Sequence, residues 1–218
     1  MSAPIRVLFV TSEAAPLTKT GGLADVAAAL PLALRELDVD IRVLLPGYRE
    51  VLTGISHASP IAELPRLGAF PAATLLSAQA PGGTPLVVLV CPQFYERDGG
   101  PYLGPDGRDW PDNALRFGLL SYAAYLLSAH NSPWHWRCDL LHCNDWQSGL
   151  APAYGYFSGR PRAPSLMTIH NLAYQGSFAP SFVNSSDAAR PMPLPAPVMM
   201  TDLPSRRPMT FSGFFLMN

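Results

Sequence analysis

Lysine is almost missing from this chain: Lys19 is the only one, against fourteen arginines, in 218 residues. Other absences narrow the field further. No apolar run is long enough to span a bilayer, and residues 1–15 lack a cationic segment followed by an apolar one, so neither a membrane span nor a secretory leader is expected. The formal net charge of -1 leaves no basic excess for nucleic acid or an anionic membrane. The cysteines are only three, Cys91, Cys138 and Cys143, with no C-x-x-C pair. Their odd number and spacing argue against a disulfide framework and a zinc site, and point to reduced, buried thiols in a cytoplasmic protein. Neither G-x-G-x-x-G nor G-x-x-x-x-G-K-[ST] occurs, which excludes the dinucleotide fingerprint and the P-loop and argues against a dehydrogenase. No metal or cofactor is expected.

What is present is a chain 48% hydrophobic and 14% charged, suited to a soluble globular protein of one or two domains with a well-filled core. Its organising stretch is Lys19-Thr20-Gly21-Gly22-Leu23-Ala24-Asp25-Val26, placed after the apolar run Val7-Leu8-Phe9-Val10. This reads as a buried strand, a loop, and a helix opening on two glycines. Such a helix start presents unpaired N–H groups and partial positive charge, glycine admits a ligand close to the backbone, and Lys19 adds a full charge. Turn chemistry alone explains the same glycines, and a solvated surface position explains the same lysine.

Along the chain, Leu23, Val26, Ala27, Leu30, Leu34 and Leu37 follow helical spacing, with Pro31 expected to kink or split the helix. Ile41 to Leu45 reads as a second strand, parallel to the first. Residues 50–84 read less clearly, with Ala73–Ala78 and Pro85–Cys91 as strands joined at Pro81-Gly82-Gly83. From Phe94 to about Pro111 a polar, aromatic loop is expected. Asn113 to Ala129 reads as a helix with Leu115, Leu119, Tyr122 and Leu126 on its buried face. A strand at Asp139–Cys143 delivers Asn144-Asp145-Trp146, a helix runs from about Gln147 to Phe157, and a strand at Ser165–Ile169 delivers His170-Asn171. In open α/β sheets ligands bind beyond the carboxyl ends of the strands, where these three loops converge.

At these residues the chain resembles the bacterial glycogen synthase and plant starch synthase family. The matching motifs are Ser12-Glu13, Lys19 to Val26, Tyr95-Glu96-Arg97, Asn144-Asp145-Trp146, and Thr168-Ile169-His170-Asn171-Leu172-Ala173-Tyr174-Gln175-Gly176, in the family's order over residues 5–178. The resemblance implies an α/β fold: a Rossmann-like parallel sheet with flanking helices, the N-terminal domain (1–178) of a GT-B glycosyltransferase, incomplete here. It implies transfer of glucose from ADP-glucose to the non-reducing end of an α-1,4-glucan such as glycogen, with retention. On the matching positions, Lys19 approaches the sugar-nucleotide phosphates, with Gly21 and Gly22 as close backbone and Asn171 beside the donor. His170 stands near the transferred glucose, and Asp145 shares the catalytic assignment. Tyr95, Asp25, Glu13 and Trp146 are expected to line the cleft or the acceptor path, with Asp25 positioning the loop. The residues have plainer readings too: Asp145 as the N-cap of the following helix, Tyr95 and Trp146 as partly core, His170 as a packed loop histidine, Glu13 as a structural carboxylate.

The chain departs from the family in two places. Gln147 stands where the family usually has histidine after Asp-Trp. The motifs also stop at Phe178, and residues 179–218 hold five of the seven methionines and seven of the 24 prolines without helical or strand periodicity. That segment is expected to be an irregular tail, and the second domain, with its adenine site and active-site glutamate, has no counterpart here. Two further readings stay open: a catalytically silent glucan- or nucleotide-binding fragment, and a GT-B enzyme using another sugar nucleotide.

Overall fold

A computed structural model describes residues 3–178 and 215–217. The elements in order are β1 (Arg6–Val10), α1 (Gly22–Glu36), β2 (Asp40–Pro46), α2 (Arg49–Gly54), β3 (Ser56–Leu64), β4 (Ala73–Gln79), β5 (Pro85–Val90), α3 (Pro92–Tyr95), α4 (Asn113–Ser128), β6 (Leu140–Asn144), α5 (Leu150–Ser158), β7 (Ser165–Thr168) and β8 (Phe215–Met217). They build one sheet in the order β3-β4-β5-β2-β1-β6-β7-β8. Its centre, β5-β2-β1-β6-β7, is parallel throughout, with β3, β4 and β8 antiparallel at the edges. The chain winds outward from β1 in both directions, so the topological switch point lies between β1 and β6. This is the Rossmann-like parallel sheet that the sequence led us to expect.

The central strands are buried on both faces, which is why they read as unbroken apolar runs. Leu8, Phe9 and Val10 of β1, Leu44 and Leu45 of β2, and Val87, Val88 and Leu89 of β5 have no exposed surface. The three cysteines are free and buried, and burial pushes the Cys138 and Cys143 thiols up to about 12.

Several elements differ from expectation. Pro31 does not split α1, which runs from Gly22 to Glu36 with Pro31 buried. Residues 49–64, unassigned from sequence, form α2 and the edge strand β3, whose outer residues are exposed and give no apolar alternation. In α4 the most deeply buried apolar residues are Phe117, Leu119, Leu120, Ala123, Ala124 and Leu127, while Leu115, Tyr122 and Leu126 of the expected stripe are only half-buried. The helix packs against strands of the sheet and against α5, so apolar residues surround it and no single stripe marks the buried side. The expected helix after Asp145 begins as a 3₁₀ turn at Trp146–Ser148 before α5. The irregular tail expected over 179–218 lies outside the described residues except for β8, three residues that pair with β7.

Candidate functional site

The site is built on the loops that leave β1, β6 and β7. These strands are neighbours in the sheet, so their carboxyl ends open side by side at the switch point. After β1 the chain turns through Glu13 to the glycine loop and enters α1 at Gly22. Glu13 is 3% exposed, and its carboxylate gathers the loop. It accepts the Thr20 N–H at 2.6 Å, the Gly21 N–H at 3.1 Å, the Thr20 hydroxyl at 2.9 Å and the Tyr102 hydroxyl at 2.9 Å. Ser12 in turn lies 2.7 Å from the Tyr102 oxygen. Burial and the Glu13 charge hold the Tyr102 phenol well above its usual range, so it stays a donor. Glu13 is therefore the structural carboxylate that the plainer reading described, and it fixes the loop from beneath.

This network decides what the helix start has left to offer. The amides of Thr20 and Gly21 are committed to Glu13, and no side chain caps α1. The amides of the first turn, from Gly22 on, are left without a capping side chain, the arrangement in which a helix start can take an anion. An added Cβ at Gly21 or Gly22 would meet nothing within 4 Å, and Gly21 has extended backbone that any residue adopts. Neither interior packing nor turn geometry requires glycine there, so what the missing side chains leave open is the approach from outside.

Lys19 lies at the rim, its ammonium 2.7 and 2.9 Å from the two carboxylate oxygens of Asp25 one turn into α1. Both side chains are more than half exposed. An exposed pair of this kind is worth at most about 1 kcal/mol, so a competing anion could draw Lys19 from Asp25 at little cost. Asp25 thus ties the Lys19 ammonium to the first turn of α1.

The β6 and β7 loops interlock. Asn144, wholly buried, donates its Nδ2 to the Val10 carbonyl at 3.0 Å and presents Oδ1 to Nε2 of His170 at 2.9 Å. Asp145 accepts the His170 backbone N–H on Oδ1 at 2.7 Å. Asp145 stands at the N-cap position of the turn that follows, but its side chain does not cap it: the carboxylate reaches across to the loop after β7 instead. Asp145 has φ 54° and ψ -179°, a region almost reserved for glycine and a strained one for aspartate. Behind this pair His142 lies 2.8 Å from the Thr168 hydroxyl, and burial, then the nearby His170, push its imidazole down to about 4, so it is neutral at pH 7. Asn171 turns its Oδ1 onto the Ala173 N–H at 2.9 Å, making a local turn at the exposed rim.

The remaining candidates fall inside. Tyr95 is 2% exposed and donates its hydroxyl to the Arg116 carbonyl at 2.6 Å, so the cleft position read for it is corrected to a core one. Its neighbour Arg97 forms a bidentate pair with Asp112 at 2.9 and 2.6 Å, and the Tyr-Glu-Arg motif thus staples the long loop to α4. Trp146 is half-buried, edge-on to Phe117 and Phe178, and a Cβ on Gly176 (φ +63°) would drive into its indole. Gln147 is buried with Oε1 unpaired among the described residues, so it faces no open cleft. Sequence reasoning missed Arg116, 1% exposed, which donates to the Phe94 and Pro101 carbonyls and to Asn113 Oδ1. The signal available was an arginine inside an otherwise apolar helical run. A separate hollow of about 270 Å³ opens near the amino ends of β1 and β6, among Arg6, His130, Arg137 and Arg162.

The fold defines the class: a doubly wound α/β domain, with a lysine-bearing helix start that no side chain caps and a polar histidine loop at the same carboxyl edge of its parallel sheet. The sequence comparisons make the family specific. The model of the starch synthase catalytic domain matches residues 6–202, running past Phe178, and the chain belongs to that family. Among curated relatives, the glycogen synthases of Nitrosospira multiformis and Nitrosomonas europaea are 54% and 55% identical over 182 residues, 82% of this chain and 37% of each relative. The chain thus spans little more than a third of the length of these relatives. Among solved structures, the catalytic domain of starch synthase IV from Arabidopsis thaliana, bound to ADP and acarbose, aligns with a TM-score of 0.67 at 24% identity, over 85% of this chain and 38% of that one. That likeness bears on the fold. Among the described residues no helix is long and apolar enough to cross a membrane.

Proposed function

We propose that this chain forms part of a retaining glucosyltransferase that moves glucose from ADP-glucose to the non-reducing end of an α-1,4-glucan, as a glycogen synthase does. The observation that supports the reading is the clamp of Asn144 and Asp145 on His170, made where the carboxyl ends of β6 and β7 lie beside β1 in the sheet. Lys19 and the α1 start belong to the loop that leaves β1 at the same edge. In such a transfer the bond between the anomeric carbon and the diphosphate breaks, and charge builds on the departing ADP. A lysine beside a helix N-terminus meets that charge without a metal. The glucosyl group, with oxocarbenium character, passes to a hydroxyl of the glucan, whose proton goes to the departing diphosphate oxygen. His170, Asn171 and Asp145 supply the few placed polar groups that orient a sugar. The plausible cellular setting is the cytoplasm, where sugar nucleotides and glycogen meet.

The chain's share of its relatives' length favours one companion reading: alone, it binds glucan or nucleotide without turnover. The test is a chimera in which the aligned 182 residues replace their counterpart in the Nitrosospira multiformis relative. Incorporation of labelled glucose from ADP-glucose into glycogen, with release of ADP, is expected. A folded chimera without transfer overturns the proposal.

A further inference from the structure

The motif Asn144-Asp145-Trp146 brings one residue to the site whose role the reading above leaves unassigned. Asn144 has no exposed surface, and both ends of its amide are in use. The Val10 carbonyl can only accept, so the group facing it at 3.0 Å must be Nδ2. The other end, facing His170, is then Oδ1, which itself can only accept. Nε2 of His170, 2.9 Å away, must therefore carry a hydrogen and donate it. The amide orientation follows from the chemistry of its two partners and not from a choice between nearly identical atoms. Asp145 closes the second half of the clamp by holding the His170 backbone N–H, from a backbone conformation that aspartate rarely adopts.

We propose that Asn144 is the positioning residue of His170, fixing the neutral imidazole as its Nε2–H form and leaving Nδ1 as a bare acceptor. Among the described residues Nδ1 has no partner, and His170 is exposed, so this acceptor is open to a ligand. A neutral ring nitrogen with a free lone pair takes a hydrogen bond from a hydroxyl and disfavours a phosphate oxygen, which carries only lone pairs. The crevice is thereby polarised: anionic groups belong at Lys19 and the α1 start, and sugar hydroxyls belong at His170. This last step rests on the glucosyltransferase reading; the ring assignment does not.

The ring is read directly in the 218-residue chain, ¹⁵N-labelled, by long-range proton–nitrogen correlation at about pH 8, where imidazole is neutral. The His170 signals are identified by their loss in His170→Gln. The expected result is one protonated Nε2 and one unprotonated Nδ1 in the wild type, shifting toward tautomer averaging in Asn144→Ala. A mixed or Nδ1–H ring in the wild type overturns the proposal, and needs no Asn144 variant to fold. An Asn144→Ala ring unchanged from wild type overturns it as well. In the chimera, Asn144→Ala should lower kcat at least about tenfold while the KM for ADP-glucose stays within about twofold. An unchanged kcat contradicts the positioning role. A wild-type chimera without activity counts against the glucosyltransferase reading and leaves the ring measurement standing.

Discussion

Asp145 shows most plainly how function and stability diverge at one residue. Its backbone at φ 54° and ψ -179° is held by the His170 amide on one side and the Thr168 carbonyl, which accepts the Asp145 N–H at 2.9 Å, on the other. Glycine occupies this region without strain, whereas any residue with a Cβ is strained there by about 1–3 kcal/mol. Asp145→Gly and Asp145→Ala both remove the carboxylate, but only glycine relaxes the backbone. The usual order therefore inverts: the glycine variant should be more stable than the alanine one by about 1 kcal/mol, as read from urea midpoints. His142 provides a second residue-scale prediction. Its folded pKa is depressed to about 4 while the unfolded chain protonates near 6.5, so between those values the unfolded state binds the extra proton. Stability is full above pH 6.5 and falls as pH drops toward 4, by up to about 3 kcal/mol from this group. Replacing His142 with glutamine should flatten that part of the stability–pH curve, measured by urea unfolding at stepped pH.

At the scale of elements, the decisive unit is the connection from β1 to α1. Its shape is set by one buried carboxylate and not by the glycines that marked it in the sequence. Glu13→Ala leaves the Thr20 and Gly21 amides and the Tyr102 hydroxyl without their acceptor. A loss of about 2–3 kcal/mol is expected, with faster hydrogen exchange at Thr20 and Gly21 than in the wild type. Protection unchanged at those amides would contradict the bracing role. The strands β1, β2, β5, β6 and β7 were legible because strands buried on both faces are written as apolar runs. The helix α1 was legible because it lies on the surface with one apolar stripe. The edge strand β3 and the inner face of α4 were not: one is exposed and polar, the other apolar nearly all round, so neither carries the period of its structure. The motif residues at loop ends were found from their place after strands, but the partner of each side chain was not. Tyr95 faces inward and Asp145 reaches across to β7, and both depend on elements distant in sequence.

At the scale of the whole molecule, the parallel sheet brings three distant loops to one edge, while the chain covers 37% of the Nitrosospira and Nitrosomonas europaea relatives. The central claim is that the glycine loop carries the leaving diphosphate, with Lys19 as its one full positive charge. The most direct measurement is initial-rate kinetics of the chimera and its Lys19→Gln variant, varying ADP-glucose at saturating glycogen. The charge argument predicts that kcat/KM for the donor falls at least about tenfold, or about 1.4 kcal/mol of transition-state stabilisation, with the KM for glycogen unchanged. A variant with unchanged kcat and donor KM would remove Lys19 from the site and contradict the claim.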